Sequence, residues 1–307
     1  MRPRLKRSIV AIGTAVVIAT LWSATGSVAG GQIPATGLPA YTAPRNAYGE
    51  PDLNGFWAAL NTANWNIEEH PAAAAPYEQL VAVYLAQPPG FGVVEGGPIP
   101  YRPDALERRN RNFESRLKPE PLPGNSDPYD DADPEAKCFT GGVPRATYMP
   151  FPFQIIHAKN RVLIAYTFGA SSTREIHLDK TFADLLEVYD YPGQSIGRWE
   201  GNTLVVDVRW FNTWVWLDRA GNYYSENAHV EERYTPISPY HLMYEVTIDD
   251  PTVFTRPWKM RMPLYRIVEP STRLQILEFQ CVPFADEFMY GKFKKGVFKL
   301  PDVDTGK

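Results

Sequence analysis

The types of residue that hold metal ions and nucleotides are scarce in this sequence. Its 307 residues include only two cysteines and five histidines, and neither cysteine has a nearby histidine at the spacing of a zinc site. The glycine patterns of dinucleotide-binding folds and phosphate-binding loops are also missing. The sequence therefore predicts a protein that works without a metal or other cofactor.

The amino-terminal residues have the pattern of a secretory signal peptide. Basic residues within positions 2–7 precede an apolar stretch from Ile9 to Trp22, and residues 27–29 (Ser-Val-Ala) supply a small-residue cleavage site. The apolar stretch is shorter than the ~20 residues that span a bilayer. We expect cleavage after Ala29 and export to the periplasm or the medium, with an uncleaved anchor as the alternative.

Positive charge becomes scarce once this segment is removed. Residues 30–307 carry 27 Lys and Arg against 35 Asp and Glu, which is a net charge of −8. Nucleic acids and anionic membrane surfaces are bound through clustered Lys and Arg. The composition argues against nucleic acid and membrane as partners, beyond the export signal, and leaves a small molecule as the expected one.

The residue composition of the chain after the signal segment changes near its middle. Residues 30–137 are rich in Pro, Ala and Gly, which predicts an extended arm, a first strand and two helices at 72–86 and 103–117. In the second helix Leu106 and Phe113 lie on one narrow stripe that we expect to dock on the rest of the protein. Residues 45–137 and the region from 138 onward would then form one structural unit.

Short strands alternate with turn residues from position 144 onward. The candidate strands are 153–157, 161–168, 173–178, 194–200, 203–211, 228–236, 241–249, 258–267 and 273–282. Evenly spaced strands without intervening helices are typical of antiparallel sandwiches and barrels, and a closed barrel leaves no exposed edge. Residues 138–307 are therefore predicted to form a mainly β domain, a lipocalin-like barrel or a sandwich.

Two further features of the sequence concern cross-links and ions. Cys138 and Cys281 lie at the two ends of the strand-rich region, and export would favour their pairing over two buried free thiols. An acidic run ends in Asp133 and Glu135 and has the carboxylates that Ca²⁺ prefers. Because the run lacks the central glycine and spacing of an EF-hand loop, we interpret it as a solvated acidic loop.

One pentapeptide, GQSIG at 193–197, matches the G-x-S-x-G motif of serine hydrolases. A catalytic serine in that motif lies where a strand ends and a helix begins. Here Gly197, Gly201 and a β-branched run follow Ser195, which predicts a hairpin of two strands. A hydrolase that uses Ser195 is kept as an alternative.

Six side chains are candidates for acid–base chemistry: His177, His229, Asp179, Glu231, Arg233 and Arg174. The histidines would transfer protons, the carboxylates would orient the histidines, and the arginines would hold an anionic or carbonyl group. Arg174 alternates away from His177, so its inclusion needs a bulge or a loop. The alternative is that these residues form the solvated outer face of a sheet.

Aromatic residues are abundant, with 17 Tyr, 15 Phe and 8 Trp. Those predicted to line a pocket are Tyr189, Tyr191, Trp210, Trp214 and Trp216. Such residues are equally suited to the core of a sheet. With the acid–base candidates they predict a protein that binds a small, largely apolar or aromatic molecule and that, if it is an enzyme, is a lyase, isomerase or cyclase without a cofactor. A non-catalytic carrier or scavenger is the alternative.

Several segments resemble a large family of exported bacterial proteins. PDLNGFW at 51–57 is similar to its PDLSG-W motif, and GRWEGNTLVVD at 197–207 is similar to its G-WEGDTLVVDT motif, with Asn202 in place of Asp. Gly55-Phe56-Trp57 also has the G-x-W form found on the first strand of lipocalin-like barrels. The resemblance implies export and carries over no catalytic residues.

Overall fold

A computed structural model of the chain describes residues 41–74, 86–116, 132–168, 172–212, 214–268, 274–277, 279–283 and 285. These residues belong to a compact unit that spans 41–307. The predicted signal peptide and most of the first predicted helix lie outside the described residues. No helix in the described part is long and apolar enough to span a bilayer.

Ten strands form one sheet in the described part of the chain. They are β1 (Gly55–Ala59), β2 (Val94–Glu95), β3 (Phe153–Ala158), β4 (Arg161–Tyr166), β5 (Thr173–His177), β6 (Gln194–Glu200), β7 (Thr203–Arg209), β8 (His229–Ser238), β9 (His241–Asp249) and β10 (Trp258–Arg266). Because β1 pairs with both β3 and β10, the strands other than β2 close into a nine-stranded barrel. Neighbours are antiparallel except β5 and β6, which are parallel. The predicted mainly β barrel is confirmed.

The ninth predicted strand, residues 273–282, is wrong for the part of it that the structure describes. Residues 274–277 and 279–283 form no strand, because both edges of β10 are already occupied, one by β9 and the other by β1 and β2. The strand that closes the barrel is instead β1, which carries the G-x-W sequence. The disulfide between Cys138 and Cys281 is present, as predicted.

Two α-helices lie in the described residues, α1 (Pro103–Ser115) and α2 (Arg145–Tyr148). Helix α1 begins with Pro103, which suits a first position where the N–H has no helical partner. Its buried residues are Ala105, Asn112 and Ser115, whereas the predicted stripe is exposed. The prediction that this stripe docks was wrong, because polar contacts determine which face of α1 is buried. Asn112, for example, donates to the Gly221 carbonyl at 3.1 Å.

The interior of the barrel is filled by side chains that alternate along each strand. In β8, for example, Val230 and Tyr234 face inward and are fully buried, and Tyr244 in β9 packs with Tyr234 at a ring distance of 4.8 Å. Helix α2 lies against β1, and its Tyr148 hydroxyl donates to the Leu217 carbonyl at 2.6 Å. The protein's own side chains therefore occupy the space that a lipocalin-type ligand would need.

Candidate functional site

Five of the predicted acid–base residues lie on or beside the outer face of the barrel: His177, His229, Asp179, Glu231 and Arg233. His229 Nε2 lies 3.0 Å from Asp207 Oδ1, and Arg233 donates to Glu200 at 2.7 Å. The two histidines are not brought together, because β6 and β7 separate the strands that carry them. These side chains do not line the interior of the barrel, and their catalytic role stays a prediction.

The environment of His177 is shaped by partial burial. Burial lowers the pKa of His177, and this outweighs the nearby Glu175 carboxylate, which acts in the opposite direction. Asp179, two residues on, accepts a hydrogen bond from the Asn160 side chain at 3.0 Å. Neither Glu175 beside His177 nor the hydrogen bond between Asn160 and Asp179 places a base and an orienting carboxylate at a common cavity.

Arg174 is the predicted catalytic residue that faces the interior, and it needs no bulge to do so. Its Nε donates to Ser195 Oγ at 2.9 Å, and its Nη2 donates to Glu232. The hydroxyls of Tyr234 and Tyr244 donate to the other Glu232 oxygen at 3.0 and 2.6 Å. Burial alone would lower the pKa of Arg174, but Glu232 outweighs it and raises the pKa. This inner polar cluster is an ion pair enclosed in the core.

Ser195 lies in the middle of this interior and not on a nucleophile elbow. It belongs to β6, its side chain is buried, and the residues that follow continue the β6–β7 hairpin. The strand interpretation of GQSIG agrees with the structure. Its hydroxyl accepts from a guanidinium, which is not the contact that activates a nucleophile.

Two of the five predicted pocket aromatics lie together. The rings of Tyr191 and Trp214 are 6.1 Å apart, and each also lies close to Phe139, at 5.5 and 6.2 Å. The other three are separate: Trp216 is buried in the core, Trp210 packs against Phe182, and Tyr189 is exposed. The residues Phe139, Tyr191 and Trp214 are called the aromatic cluster below.

The end of the acidic run is not a solvated loop. Asp133 is buried and Glu135 nearly so, because Arg145 donates to both and Arg219 donates to Glu135 at 2.6 and 2.7 Å. Burial on its own would raise the pKa of Glu135, but Arg219 and Arg145 outweigh it and lower the pKa to about 2. A sequence pattern cannot show this, since the two arginines are supplied by other segments.

A cleft of about 370 Å³ opens on the outside of the barrel, where β1, β2 and β10 meet. The side chains that define it are Leu60, Thr62, Phe91, Arg261, Pro263 and Tyr265. Leu60 is 72% exposed and Phe91 is 98% exposed. The cleft is therefore an open concave surface with an unusual share of exposed apolar side chain.

The cleft exists because two strands share one edge of β10. β1 pairs with β10 at residues 264–266, β2 pairs with it at 259–260, and residues 261–263 lie between them. The Arg261 N–H bonds to the Val93 carbonyl at 2.9 Å on this edge. The nitrogen of Pro263, two residues on, faces the same edge and carries no hydrogen, so no donor is left unpaired there.

Phe91 is held outward by the glycines on either side. A Cβ atom on Gly90 would lie 2.1 Å from Thr62 Oγ1, and one on Gly92, whose φ is +74°, would lie 2.5 Å from the Glu69 nitrogen. Gly90 also exchanges two backbone hydrogen bonds with His70, both at 2.9 Å. The loop is pinned at both glycines, so the exposure of Phe91 follows from packing and not from a loose loop.

The sequence interpretation missed this site, although two signals point toward it. One is the Gly-Phe-Gly sequence at 90–92, which places an aromatic residue between two residues without side chains. The other is Pro263 inside a predicted strand, since proline in a strand marks an edge or an interruption of the pairing. Neither signal identifies the partner strands.

Comparison with known protein families, with curated proteins and with solved structures finds no significant match to this chain. The fold and the site therefore define the class of protein by themselves. It is a closed, disulfide-bonded β-barrel with a filled interior and an apolar cleft on its outer wall.

Proposed function

We propose that this protein is an exported, non-catalytic binding protein for a small, largely apolar molecule, which it holds in the cleft beside Phe91. The observation that carries the proposal is the near-complete exposure of Phe91 on a loop fixed by close packing. An exposed aromatic side chain on a closely packed loop adds no apolar burial to the free protein, whereas a ligand that covers it gains apolar burial.

The dimensions and lining of the cleft support this proposal. Pockets for small molecules range from about 300 to 1,000 Å³ and are mostly apolar with a few polar groups. This cleft holds about 370 Å³ and combines Leu60, Phe91 and Tyr265 with the polar Thr62 and Arg261. That volume suits a molecule of one or two fused rings or a short aliphatic chain.

A carrier is favoured over a lyase or isomerase by where the acid–base candidates lie. None of the six predicted residues is among the described residues that line the cleft. The inward-facing one, Arg174, is enclosed with Glu232 in the core. Chemistry would require a proton-transfer group within hydrogen-bond reach of the ligand.

Export is supported by the disulfide, because such bonds persist in oxidising compartments. We also propose that the chain belongs with the exported proteins whose motifs it resembles. The two best-matching segments cover β1, which closes the barrel, and the β6–β7 hairpin, so they would mark shared architecture.

The binding proposal is tested by titration with the neutral apolar dye N-phenylnaphthylamine. We expect saturable fluorescence enhancement with the native protein, and affinity weaker by about tenfold or more in Phe91→Ala, since one buried Phe is worth about 1.5–3 kcal/mol. The matched control is Leu186→Ala, which removes another side chain that is 83% exposed but lies far along the chain, in the β5–β6 connection.

Equal affinity in all three proteins would show that the dye does not use the cleft. Thermal unfolding should be unchanged in both variants, because both side chains are exposed.

A further inference from the structure

A positively charged side chain, Arg261, lies among the apolar side chains that line the cleft. It belongs to β10, where Arg261, Pro263 and Tyr265 face outward and alternate with buried residues. The backbone N–H of Arg261 bonds to the carbonyl of Val93, which is two residues from the exposed Phe91. The guanidinium and the exposed ring therefore border the same concave surface.

The guanidinium of Arg261 keeps its hydrogen-bonding capacity in the free protein. Its acidic neighbour is Glu245 on β9, and Arg261 Nε lies 3.7 Å from Glu245 Oε1, which is too long for a hydrogen bond. No described residue accepts a hydrogen bond from this guanidinium, and the side chain is 50% exposed. Arginine presents five donors in a planar fork that matches the two oxygens of a carboxylate. That fork is accessible to a ligand in the cleft.

The two arginines that the sequence analysis assigned to an anionic group differ from Arg261 in this respect. Arg233 donates to Glu200 at 2.7 Å on the outer face of the barrel, and Arg174 donates to Glu232 in the core. Both guanidiniums are thus hydrogen-bonded to a carboxylate of the protein itself. Neither of them is among the described residues that line the cleft, whereas Arg261 is.

We propose that Arg261 binds the charged group of an anionic ligand, so that the cleft selects a carboxylate with an aromatic or aliphatic body over a neutral molecule of the same shape. This inference rests on the binding function proposed above. The ligand carboxylate accepts hydrogen bonds from the guanidinium, and the apolar body covers Phe91 and Leu60. The two ends of the ligand are then recognised by different chemistry, which fixes its orientation.

The ion pair adds selectivity to an affinity that comes mainly from apolar burial. Hydrogen bonds from a guanidinium to an anion are shorter and stronger than those between neutral groups. Water screens a half-exposed pair, so its contribution is modest. Glu245 carries the same charge as the ligand and lies beside Arg261, so it opposes binding of the anion.

The test uses two dyes that differ by one group, N-phenylnaphthylamine and its sulfonated derivative, anilinonaphthalene sulfonate. The sulfonate stands in for a carboxylate, since both are anions that only accept hydrogen bonds. Each dye is titrated by fluorescence against the native protein and four variants, and the ratio of the two affinities is compared. We expect Arg261→Gln to lower the preference for the sulfonated dye by about fivefold, the most that a partly exposed ion pair contributes.

Two further variants test the sign and the geometry of the effect. Arg261→Lys keeps the charge but not the planar fork, so it should retain only part of the native preference. Glu245→Gln removes the opposing carboxylate and should raise the preference for the sulfonated dye. A preference that falls in Glu245→Gln would contradict the proposal.

The matched control is Lys259→Gln, which removes the same charge from the same face of β10 but not from a described residue that lines the cleft. Its preference should remain close to native. Equal losses in Arg261→Gln and Lys259→Gln would overturn the assignment, as would an unchanged preference in Arg261→Gln. Saturable binding of the neutral dye alone would also overturn it and leave the binding function intact. Failure of both dyes to bind the native protein would remove the binding function itself.

Discussion

Glu231 and Glu232 are neighbours on β8, yet they experience two different environments. Glu231 points outward, its side chain is 30% exposed, and its partners Arg198 and Arg233 lie at 3.3 and 3.5 Å. Glu232 points inward, has no exposed surface, and accepts hydrogen bonds from Arg174, Tyr234 and Tyr244. The same residue type is a solvated charge on one face and part of the core on the other.

This difference explains why ionic residues alone did not locate the cleft proposed as the binding site. The outer residues neutralise one another in water, where such pairs contribute little. The inner carboxylate is fully hydrogen-bonded, and a pair of that kind is structural unless a ligand has access to it. The cleft differs from both regions because it is concave and is lined by exposed apolar side chains, Leu60 and Phe91.

Removal of each glutamate in turn should produce the largest effect. We expect Glu232→Ala to lower the free energy of unfolding by about 3–5 kcal/mol, because it leaves Arg174 charged and unpaired in the core. Glu231→Ala, one residue away, should lower it by no more than about 1 kcal/mol. Urea unfolding followed by circular dichroism measures both. Equal losses would contradict the distinction between the two faces.

Acid should weaken the protein through a second carboxylate that is nearly buried, Glu135. The pKa of Glu135 in the folded protein, about 2, lies below the ordinary glutamate value of about 4.5. A depressed pKa stabilises the fold above pH 4.5, and this stabilisation is lost as pH falls from there toward 2. Glu135→Gln should therefore flatten the fall in stability over that window, by on the order of 3 kcal/mol.

The exposed Glu200 is the matched control for the acid experiment. Hydrogen bonding to Arg233 also lowers the pKa of Glu200, but its side chain is in water. Glu200→Gln should leave the dependence of unfolding on pH close to that of the native protein. A flattened curve in this variant, with a native-like curve in Glu135→Gln, would reverse the roles assigned to the two sites.

The smallest effects are expected on the outer face at the predicted proton-transfer residues. His177→Ala and His229→Ala should each change the free energy of unfolding by about 1 kcal/mol or less, because each histidine makes at most a weak pair with a carboxylate on the outer face. Affinity for N-phenylnaphthylamine should not change. A large loss of dye binding in either variant would return the functional site to the outer face of β5 or β8.

The local sequence pattern was enough to predict most strands of the barrel but not which side chains fill its interior. Alternation in Leu204–Trp210 and the Gly201 turn specify the β6–β7 hairpin, because both signals arise within a few residues. Alternation also separates Glu231 from Glu232, but it does not say which faces inward. That choice depends on Arg174, which lies on a distant strand.

The cleft could not be predicted from the sequence for the same physical reason. It forms where β1 and β2 share one edge of β10, with Ala59 opposite Leu264 and Val94 opposite Met260. Val94 and Met260 are 166 positions apart in the sequence, so no local pattern reveals their pairing. The exposure of Phe91 likewise depends on contacts of Gly90 with Thr62 and His70. Both features arise from tertiary pairing and not from the propensity of a segment.

The central claim is that a small apolar molecule binds on the outer wall and not inside the barrel, and backbone amide shifts in an NMR titration test it most directly. With N-phenylnaphthylamine the account predicts changes confined to residues 60–63, 89–93 and 261–265. Changes centred on the aromatic cluster, or on the inward residues Arg174 and Glu232, would contradict it.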